Sequence, residues 1–262
     1  MARPAEQDDF EKSSLFRGLT LLEQFESPGQ ILSISQLARQ SGVPKSTAHR
    51  LVQNLVGWGA LERCPTGVRL GARLFELGTL VAASTSLRDL AIPYAHALHE
   101  VTKLTCNLAV REGDEILYIE KISTPAMSVP HSRLGGRARM HATALGKAIL
   151  AFSEPAFVDD VLSKSLAAQT PKTIVDPNRL RKELAEVRKA RVAYDVEESR
   201  LGIFCVSSPI FSGTTGPVVG AISVTGATQL ATAQKYAPTV TATALGLSAS
   251  LQPRRSRGHV EP

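Results

Sequence analysis

Apolar residues recur at helical spacing in two stretches near the start of the chain. The first pattern covers residues 14–26, and the Pro28-Gly29 dipeptide ends it. Ser33 and Gln36 have the spacing of a capping box, in which the side chain of each residue accepts a hydrogen bond from the backbone N–H of the other at a helix start. This box predicts a second, short helix, which Gly42 terminates.

A third helical pattern follows, and two short strand patterns come after it. Pro44 fits the first helical position, where its missing N–H costs nothing, and Gly57 and Gly59 are expected to end the helix. Its buried stripe is predicted to consist of Ala48, Leu51, Val52, Leu55 and Val56. Residues 61–63 and 68–70 can pair as a hairpin across a turn-forming stretch. Three helices followed by a hairpin predict a winged helix-turn-helix domain.

The rest of the chain predicts a linker and a second, larger domain. Helical spacing over Ala72–Ser84 indicates a linker helix that could also pair subunits. The organisation expected from these patterns is a disordered leader, the winged domain, the linker helix, the second domain and a flexible tail, at residues 1–12, 13–71, 72–86, 87–252 and 253–262.

The second domain mixes strand and helix patterns. A helix kinked at Pro93 is expected over residues 87–103. Strands are predicted at 105–111, 115–122, 191–196, 203–211 and 217–225, and further helices at 143–153, 156–165, 178–190 and 229–250. Runs of strands mixed with helices predict an α+β domain with an antiparallel sheet.

Charge is unevenly distributed along the 262 residues, whose net charge is +6. Residues 1–38 carry −3, whereas residues 39–73 carry +5. A positive field confined to one short segment favours a polyanion such as DNA, although a charge run is also compatible with an ordinary solvated face. The three cysteines are far apart and odd in number, there is no run of about 18 apolar residues, and the start lacks a secretory signal. These features predict a cytoplasmic protein that does not contact the membrane.

The polar face of the third helix carries the candidate DNA contacts. Its exposed side chains are donors or acceptors suited to phosphates and base edges, and the N-terminal turn usually approaches the bases. The best candidates are Lys45, Ser46, Thr47, His49 and Arg50. Arg63 and Arg69 on the hairpin could bind flanking phosphates. The alternatives are a winged helix used for protein contact and a small helical domain with an ordinary polar face.

At this point the chain resembles the IclR-type regulators along nearly its whole length. Ser35–Leu51 (SQLARQSGVPKSTAHRL) is similar to their DNA-binding helix pair, and Ser35 completes the set of candidate DNA contacts. GARLFELGTL at 71–80 resembles the start of their linker, and MHATALGKAIL at 140–150 their central motif. Two further segments resemble their C-terminal signature, DVEESRLGIFCVSSPIF at 195–211 and VVGAISVTG at 218–226.

The resemblance implies a GAF-like α/β effector-binding domain and assembly as dimers or tetramers on double-stranded operator DNA. It implies a pocket for a small organic acid, with the backbone at Ala144 and Leu145 meeting the carboxylate. The polar contacts would come from Asp195, Cys205, Ser223 and Thr225, and a loosely matched apolar wall from Met127, Val129 and Leu134. Thr225 replaces a serine common in the family, which adds a methyl group to the pocket.

Simpler interpretations compete with each pocket residue. Cys205 could be a buried small hydrophobe, Ser223 and Thr225 ordinary exposed strand residues, and Asp195 the cap of a turn. His141 is more simply a structural histidine and Lys147 a solvated helix lysine. A metal bound by His141, Cys205 and Asp195, or a Cys205–His141 nucleophile pair, remains open.

No P-loop, nucleotide-binding glycine motif, G-x-S-x-G, H-E-x-x-H or paired zinc ligands occur in the sequence, so neither catalysis nor a cofactor is expected. The sequence predicts an effector-controlled DNA-binding regulator, with repression as the expected direction. The alternatives are a metabolic enzyme or ligand-storage protein with an appended winged helix, and an architectural DNA binder without sequence preference.

Overall fold

A computed structural model describes residues 13–123, 132–227 and 233–251, except for the side chains of residues 82–86. The chain divides into two units, Met1–Ala82 and Ala83–Pro262. The predicted leader, residues 1–12, and tail, residues 253–262, lie outside the described residues. In the described part of the chain, no helix is long and apolar enough to cross a membrane.

The first unit has the predicted three helices and hairpin. Its elements are α1 (Ser14–Leu22), α2 (Ile34–Ser41), α3 (Lys45–Trp58), β1 (Leu61–Cys64), β2 (Gly67–Leu70) and α4 (Ala72–Gly78). The capping box forms, since the Gln36 amide donates to Ser33 Oγ at 3.2 Å and the Ser33 amide to Gln36 Oε1 at 2.8 Å. Strands β1 and β2 pair antiparallel, and Leu32 bridges to Val68 beside them. The two strands therefore form the predicted wing.

The glycines in this unit differ in what they do. Gly42 adopts φ 70° where α2 ends, a left-handed conformation that glycine reaches at little cost, and it makes the tight turn between α2 and α3. Gly59 caps α3 in the same way, at φ 89°. The prediction that Gly57 also ends α3 is wrong, because Gly57 lies within the helix. Pro44 is the residue before the helix, not its first residue.

The predicted linker helix is interrupted. Helix α4 ends at Gly78, and α5 (Ala82–Thr102) begins after a break of three residues and runs on past Pro93. Thr79 Oγ1 donates to the carbonyl of Glu76 at 2.7 Å. A hydrogen bond of this kind, from a threonine side chain to a nearby carbonyl, competes with the backbone hydrogen bonds of a helix. The single helix expected over residues 72–84 is therefore two helices.

The second unit is built on one antiparallel sheet. Its elements after α5 are β3 (Thr105–Glu112), β4 (Glu115–Ile122), β5 (Arg137–Arg139), α6 (Ala144–Ala151), α7 (Pro155–Ser163), α8 (Pro177–Ala190), β6 (Ala193–Val196), β7 (Ile203–Phe211), β8 (Val218–Ala227) and α9 (Ala237–Ser250). The strand order is β5-β4-β3-β8-β7-β6, and every neighbouring pair is antiparallel. The predicted α+β class and antiparallel sheet are confirmed.

Two apolar cores lie on opposite faces of this sheet. Helices α6, α7 and α8 pack on one face, around Ala109, Leu145 and Ala221. Helices α5 and α9 cover the other face, around Leu108 and Ile222. Because successive strand residues alternate between faces, the odd-numbered positions of β8 between residues 221 and 225 face α6. The fold thus places the central motif and the C-terminal signature on the same side of the sheet.

Candidate functional sites

Helix α3 presents a buried and an exposed face, as a recognition helix requires. Ala48, Leu51 and Val52 are buried and anchor it in the core of the first unit. On the opposite side Lys45, Ser46, His49 and Arg50 are exposed, and Thr47 is half-buried. Ser35 is exposed on α2, the other helix of the pair. The structure therefore brings the predicted contacts onto the solvent face of one helix-turn-helix.

The basic residues of this unit differ in their partners. Within the described ranges, Lys45, Arg50 and Arg63 form no ion pair, so their donors are available to an anion. Arg69 instead pairs with Glu62, its Nε and Nη2 both donating to Oε2, at 3.0 and 2.9 Å. The hydrogen bond from Arg69 lowers the pKa of Glu62. Of the two hairpin arginines predicted to bind phosphate, only Arg63 has an uncompensated charge.

The sheet face beneath α6 carries two rows of buried polar side chains. In one row, strand pairing sets Asp195 beside Cys205, Cys205 beside Thr225, and Thr225 beside Thr105. In the adjacent row, Ser207, Ser223 and Asn107 lie side by side. All seven residues are less than 10% exposed. Four of the predicted effector contacts, Asp195, Cys205, Ser223 and Thr225, therefore share one face.

The sequence prediction missed Thr105, Ser207 and Asn107. A signal for two of them exists in β3, where polar Thr105 and Asn107 alternate with apolar Cys106 and Leu108. That alternation identifies a polar face of the strand but not its neighbours, because strand pairing is a long-range property. Ser207 acquires its position only through its pairing with Ser223.

Helix α6 packs on the same side of the sheet as these rows, against β7 and β8. Thr143 caps the helix, its Oγ1 accepting the Gly146 amide at 3.1 Å. A Cβ at Gly146 would come within 2.3 Å of the Met140 backbone, so only glycine allows the turn to approach this closely. The amides of Ala144 and Leu145 occupy the first turn, where no intrahelical acceptor exists.

Asp195 is held in its own turn. Its Oδ1 accepts the Glu198 and Ser199 amides at 2.8 and 3.2 Å, and Oδ2 accepts the Ser199 hydroxyl at 2.5 Å. Burial raises the pKa of this carboxyl, and the Ser199 hydroxyl and the two amides act in the opposite direction. Asp195 therefore caps a turn, as the simpler interpretation of this residue expected. A contact between Asp195 and an effector would be made in addition to these hydrogen bonds.

Cys205 and His141 are both buried, and burial shifts the pKa of each side chain in the direction that favours its neutral form. Burial and the nearby carboxylate of Asp195 raise the pKa of the Cys205 thiol to about 12. His141 Nε2 lies 3.0 Å from the Ala167 carbonyl, and burial lowers the pKa of its ring. His141 therefore has the structural role expected of it. Among the described residues, His141, Cys205 and Asp195 do not form a metal-binding group.

The interpretation of Lys147 as a solvated lysine is wrong. Its side chain is fully buried, and Nζ donates to Glu198 Oε1 at 2.7 Å and to Glu183 Oε1 at 3.1 Å. The two ion pairs connect α6 to α8 and to the turn that Asp195 caps. Lys147 therefore ties α6, which packs on this side of the sheet, to both of these elements.

The predicted apolar wall is not assembled among the described residues. Leu134 is 53% exposed in the turn before β5, away from the buried face. Met127 and Val129 lie outside the described residues. The buried apolar residues near the polar rows are instead Ala109, Ala221 and Leu145.

Comparison with known proteins places both units in one family. Residues 14–65 match the model of the IclR helix-turn-helix domain, and residues 79–249 match that of the bacterial transcriptional regulator IclR C-terminal domain. The Escherichia coli regulator XynR is 32% identical over 80% of this chain and 84% of its own length. The Escherichia coli transcriptional repressor IclR is 33% identical over 81% and 79%.

Solved structures agree with the sequence comparison. An IclR homolog from Microbacterium hydrocarbonoxydans, complexed with 4-hydroxybenzoate, has a TM-score of 0.81 at 32% identity and covers 91% of this chain and 99% of its own. The Thermotoga maritima IclR has a TM-score of 0.76 at 29% identity, covering 92% and 99%. With both domains matched in order and the fold shared, this chain belongs to the IclR family of transcriptional regulators.

Proposed function

We propose that this protein is a repressor that binds operator DNA through α3 and releases it in response to a small organic acid held in the second unit. The observation that carries the proposal is the exposed face of α3, where Lys45 and Arg50 have no acidic partner among the described residues. Unpaired cations on a packed helix favour phosphate binding, and Ser46, Thr47 and His49 beside them suit base edges. The similarity to known repressors supports this direction of control.

The polar sheet face supports the effector half of the proposal. The first-turn amides of Ala144 and Leu145 suit a carboxylate, and Cys205, Ser223 and Thr225 suit its other polar atoms. Asp195 would contribute from the end of the same row. The homolog that holds 4-hydroxybenzoate makes aromatic hydroxy acids a reasonable first class of ligand.

We infer that the polar face binds its ligand without converting it. Among the residues that the structure describes, Cys205 is the only cysteine on that face, and burial raises the pKa of its thiol to about 12, so the thiol is protonated near neutral pH. The thiolate is the nucleophilic form of cysteine, and a thiol held neutral is a poor nucleophile. Its placement favours ligand contact over covalent catalysis.

Self-association is the remaining part of the proposal. The first unit has an apolar groove of about 600 Å³, which we call the α1 groove, lined by Leu15, Leu19, Leu22, Trp58, Leu74 and Leu77. Leu15 is 69% exposed and Trp58 52%, which is costly for a surface that stays in water. A second copy of the chain would cover this groove and pair two recognition helices for a two-fold symmetric operator.

The test is operator binding measured while an acid is titrated. DNA flanking the protein's own gene, labelled with a fluorophore, is mixed with the full-length protein, and anisotropy is followed as each candidate acid is added. The expected result is tight, sequence-selective binding that one acid weakens. Binding to that DNA no tighter than to an unrelated duplex would contradict the regulator proposal, and indifference to every acid would contradict effector control.

A further inference from the structure

Glu62 is the single acidic residue between Arg39 and Arg73, a stretch that contains six lysines and arginines. It lies on β1 directly opposite Arg69 of β2, and its Oε2 accepts hydrogen bonds from both Nε and Nη2 of that arginine. A guanidinium that donates two charge-assisted hydrogen bonds is oriented as well as neutralised. The one carboxylate of the basic segment is therefore placed on an arginine that was expected to bind phosphate.

The other carboxylate oxygen of Glu62 fixes where this ion pair lies. Oε1 accepts the amide of Ala72, the first residue of α4, at 3.3 Å. The backbone is closely packed at this point, since a Cβ on Gly71 would come within 2.2 Å of the Gly59 carbonyl oxygen. The carboxylate is thus tied to the base of the hairpin, where β2 leads into α4. It holds the guanidinium of Arg69 at this base and away from the turn at the tip.

A DNA phosphate would have to compete with Glu62 for the donors of Arg69. Phosphate and carboxylate oxygens are both anionic acceptors that suit a guanidinium, so Arg69 gains little by exchanging one for the other. The exchange is sterically open, because the side chains of Arg69 and Glu62 are 52% and 42% exposed. Arg63, the residue after Glu62, is exposed and forms no ion pair in the described part of the chain. The two hairpin arginines therefore differ in their availability to DNA.

We propose that Glu62 is a positioning residue that holds Arg69 off the DNA backbone and thereby limits the sequence-independent affinity of the protein for DNA. The inference rests on the proposed function, in which α3 and the hairpin contact an operator duplex. Phosphate contacts strengthen binding to every duplex and carry no sequence information directly, so a regulator gains no selectivity from an additional one. Removing the charge of Glu62 frees Arg69 to make one such contact.

The experiment measures the anisotropy of two labelled duplexes of equal length, DNA flanking the protein's own gene and an unrelated sequence, with the full-length protein at several salt concentrations. Glu62→Gln removes the charge but keeps an oxygen that can accept the Ala72 amide. This variant should bind both duplexes about 3- to 10-fold more tightly than the unmodified protein. The slope of log affinity against log salt concentration should steepen by about 0.9, the contribution of one phosphate contact.

A second variant shows whether the gain acts through Arg69. Adding Arg69→Met to Glu62→Gln removes the freed guanidinium, keeps most of its apolar stem and restores the net charge of the unmodified protein. Both the affinity and the salt slope should return to the unmodified values, because the new phosphate contact is lost. A residue with a merely structural role would not produce a gain in affinity that a second substitution at its partner cancels.

Glu76→Gln is the matched control for net charge. Glu76 pairs with Arg73 at 2.8 Å on α4, and the side chains of this pair are as exposed as those of the hairpin pair. Arg73 lies over Trp58 at the end of α3, about 20 Å along the helix from Lys45 at its start. Freeing Arg73 should therefore leave the salt slope unchanged.

The inference is overturned if Glu62→Gln binds the two duplexes no more tightly than the unmodified protein does. Weaker binding would mean that Glu62 orients Arg69 toward DNA and does not hold it off. The inference also fails if the double variant keeps the gain, or if Glu76→Gln shows an equal one, since a general loss of negative charge is then the cause. Either result, with the operator still preferred to the unrelated duplex, contradicts this inference alone. An unmodified protein without that preference contradicts the proposed function itself.

Discussion

At the scale of single residues, Lys147 is a buried charge that two carboxylates compensate. Its ammonium is fully buried between Glu198 and Glu183, and burial raises the pKa of Glu198 although Lys147 opposes this. Removing one member of a buried ion pair leaves the other charge uncompensated, which typically costs about 3–5 kcal/mol. We therefore expect Lys147→Met to lower the free energy of unfolding by about that amount, measured by urea denaturation.

The partners of Lys147 supply the controls. Glu183 is one-third exposed, so Glu183→Gln should cost less than about 1 kcal/mol. Adding Glu198→Gln to Lys147→Met should recover part of the loss, because the buried carboxylate left without its ammonium is then neutral. A double variant no more stable than Lys147→Met would show that lost packing, and not an unpaired charge, is the cause.

His141 makes a separate, pH-dependent contribution. Burial lowers the pKa of its ring below the ordinary value of 6.5, and the ring bonds the Ala167 carbonyl. Below pH 6.5 the unfolded chain therefore takes up a proton that the folded chain resists. The stability that depends on neutral His141 is complete above pH 6.5 and should decline as the pH falls, by at most about 1.4 kcal/mol per pH unit.

The measurement is the free energy of unfolding between pH 5.5 and 7.5 for the unmodified protein and for His141→Gln, whose amide can still donate to a carbonyl. The difference between the two slopes isolates the histidine from the carboxyl groups that titrate nearby. Parallel slopes for the two proteins would mean that the ring titrates alike in the folded and unfolded chain.

At the scale of elements, α3 is the one whose exposed face decides DNA affinity. Replacing both Lys45 and Arg50 by Ala removes two unpaired donors without touching the buried stripe of the helix. Each phosphate contact contributes about 0.9 to the slope of log affinity against log salt concentration, so the slope should fall by about 2 if both bind phosphate. Anisotropy titrations at several salt concentrations measure it.

A matched change elsewhere tests whether location matters. Lys103→Ala removes an exposed lysine of the second unit that already pairs with Glu100, and operator affinity should hardly change. On the hairpin, Arg63→Ala should weaken binding more than Arg69→Ala, because Glu62 compensates the charge of Arg69. Equal losses for all these positions would point to net charge in general and not to α3.

The elements that sequence reasoning found are those with a strong local pattern. The apolar stripe of α3 and the apolar-rich runs of β4 and β7 each extend over eight or more residues, and those elements lie where they were predicted. Strand β5 was missed because three residues are too short for any periodicity. The break between α4 and α5 was missed although Gly78 marks it, because a single glycine inside a helical pattern is often tolerated and does not by itself end a predicted helix.

Helix α6 shows why the candidate site was only partly predictable. Every residue from Ala144 to Ala151 is buried, so the helix has no polar face by which to orient it. A lone lysine in such a helix looks solvated, and only the fold reveals Glu198 and Glu183 beside it. The polar rows of the sheet likewise depend on strand register, which joins Asn107 to Ser223 across more than a hundred residues.

At the scale of the whole molecule, the α1 groove predicts the oligomeric state. Leu15→Ser with Leu19→Ser makes the groove more polar at two residues outside the buried core, Leu15 being 69% exposed and Leu19 46%. We expect light scattering after gel filtration to show a smaller assembly than for the unmodified protein, and operator affinity to fall with it. Leu201→Ser is the control, because Leu201 lies in the second unit and its exposure, 56%, is between those of Leu15 and Leu19. This change should leave the assembly intact.

Effector control makes a stricter demand on the molecule, because coupling between two binding sites is reciprocal. If an acid lowers operator affinity by some factor, saturating operator DNA must lower affinity for that acid by the same factor, and such factors are typically about 5 to 150. Anisotropy gives the first factor and calorimetry the second, with an unrelated duplex of equal length as the control for DNA in general. The Lys45→Ala, Arg50→Ala variant should retain its affinity for the acid while losing the second factor. An acid that binds tightly yet leaves operator affinity unchanged would show that its site and α3 are independent, however well each fits its own ligand.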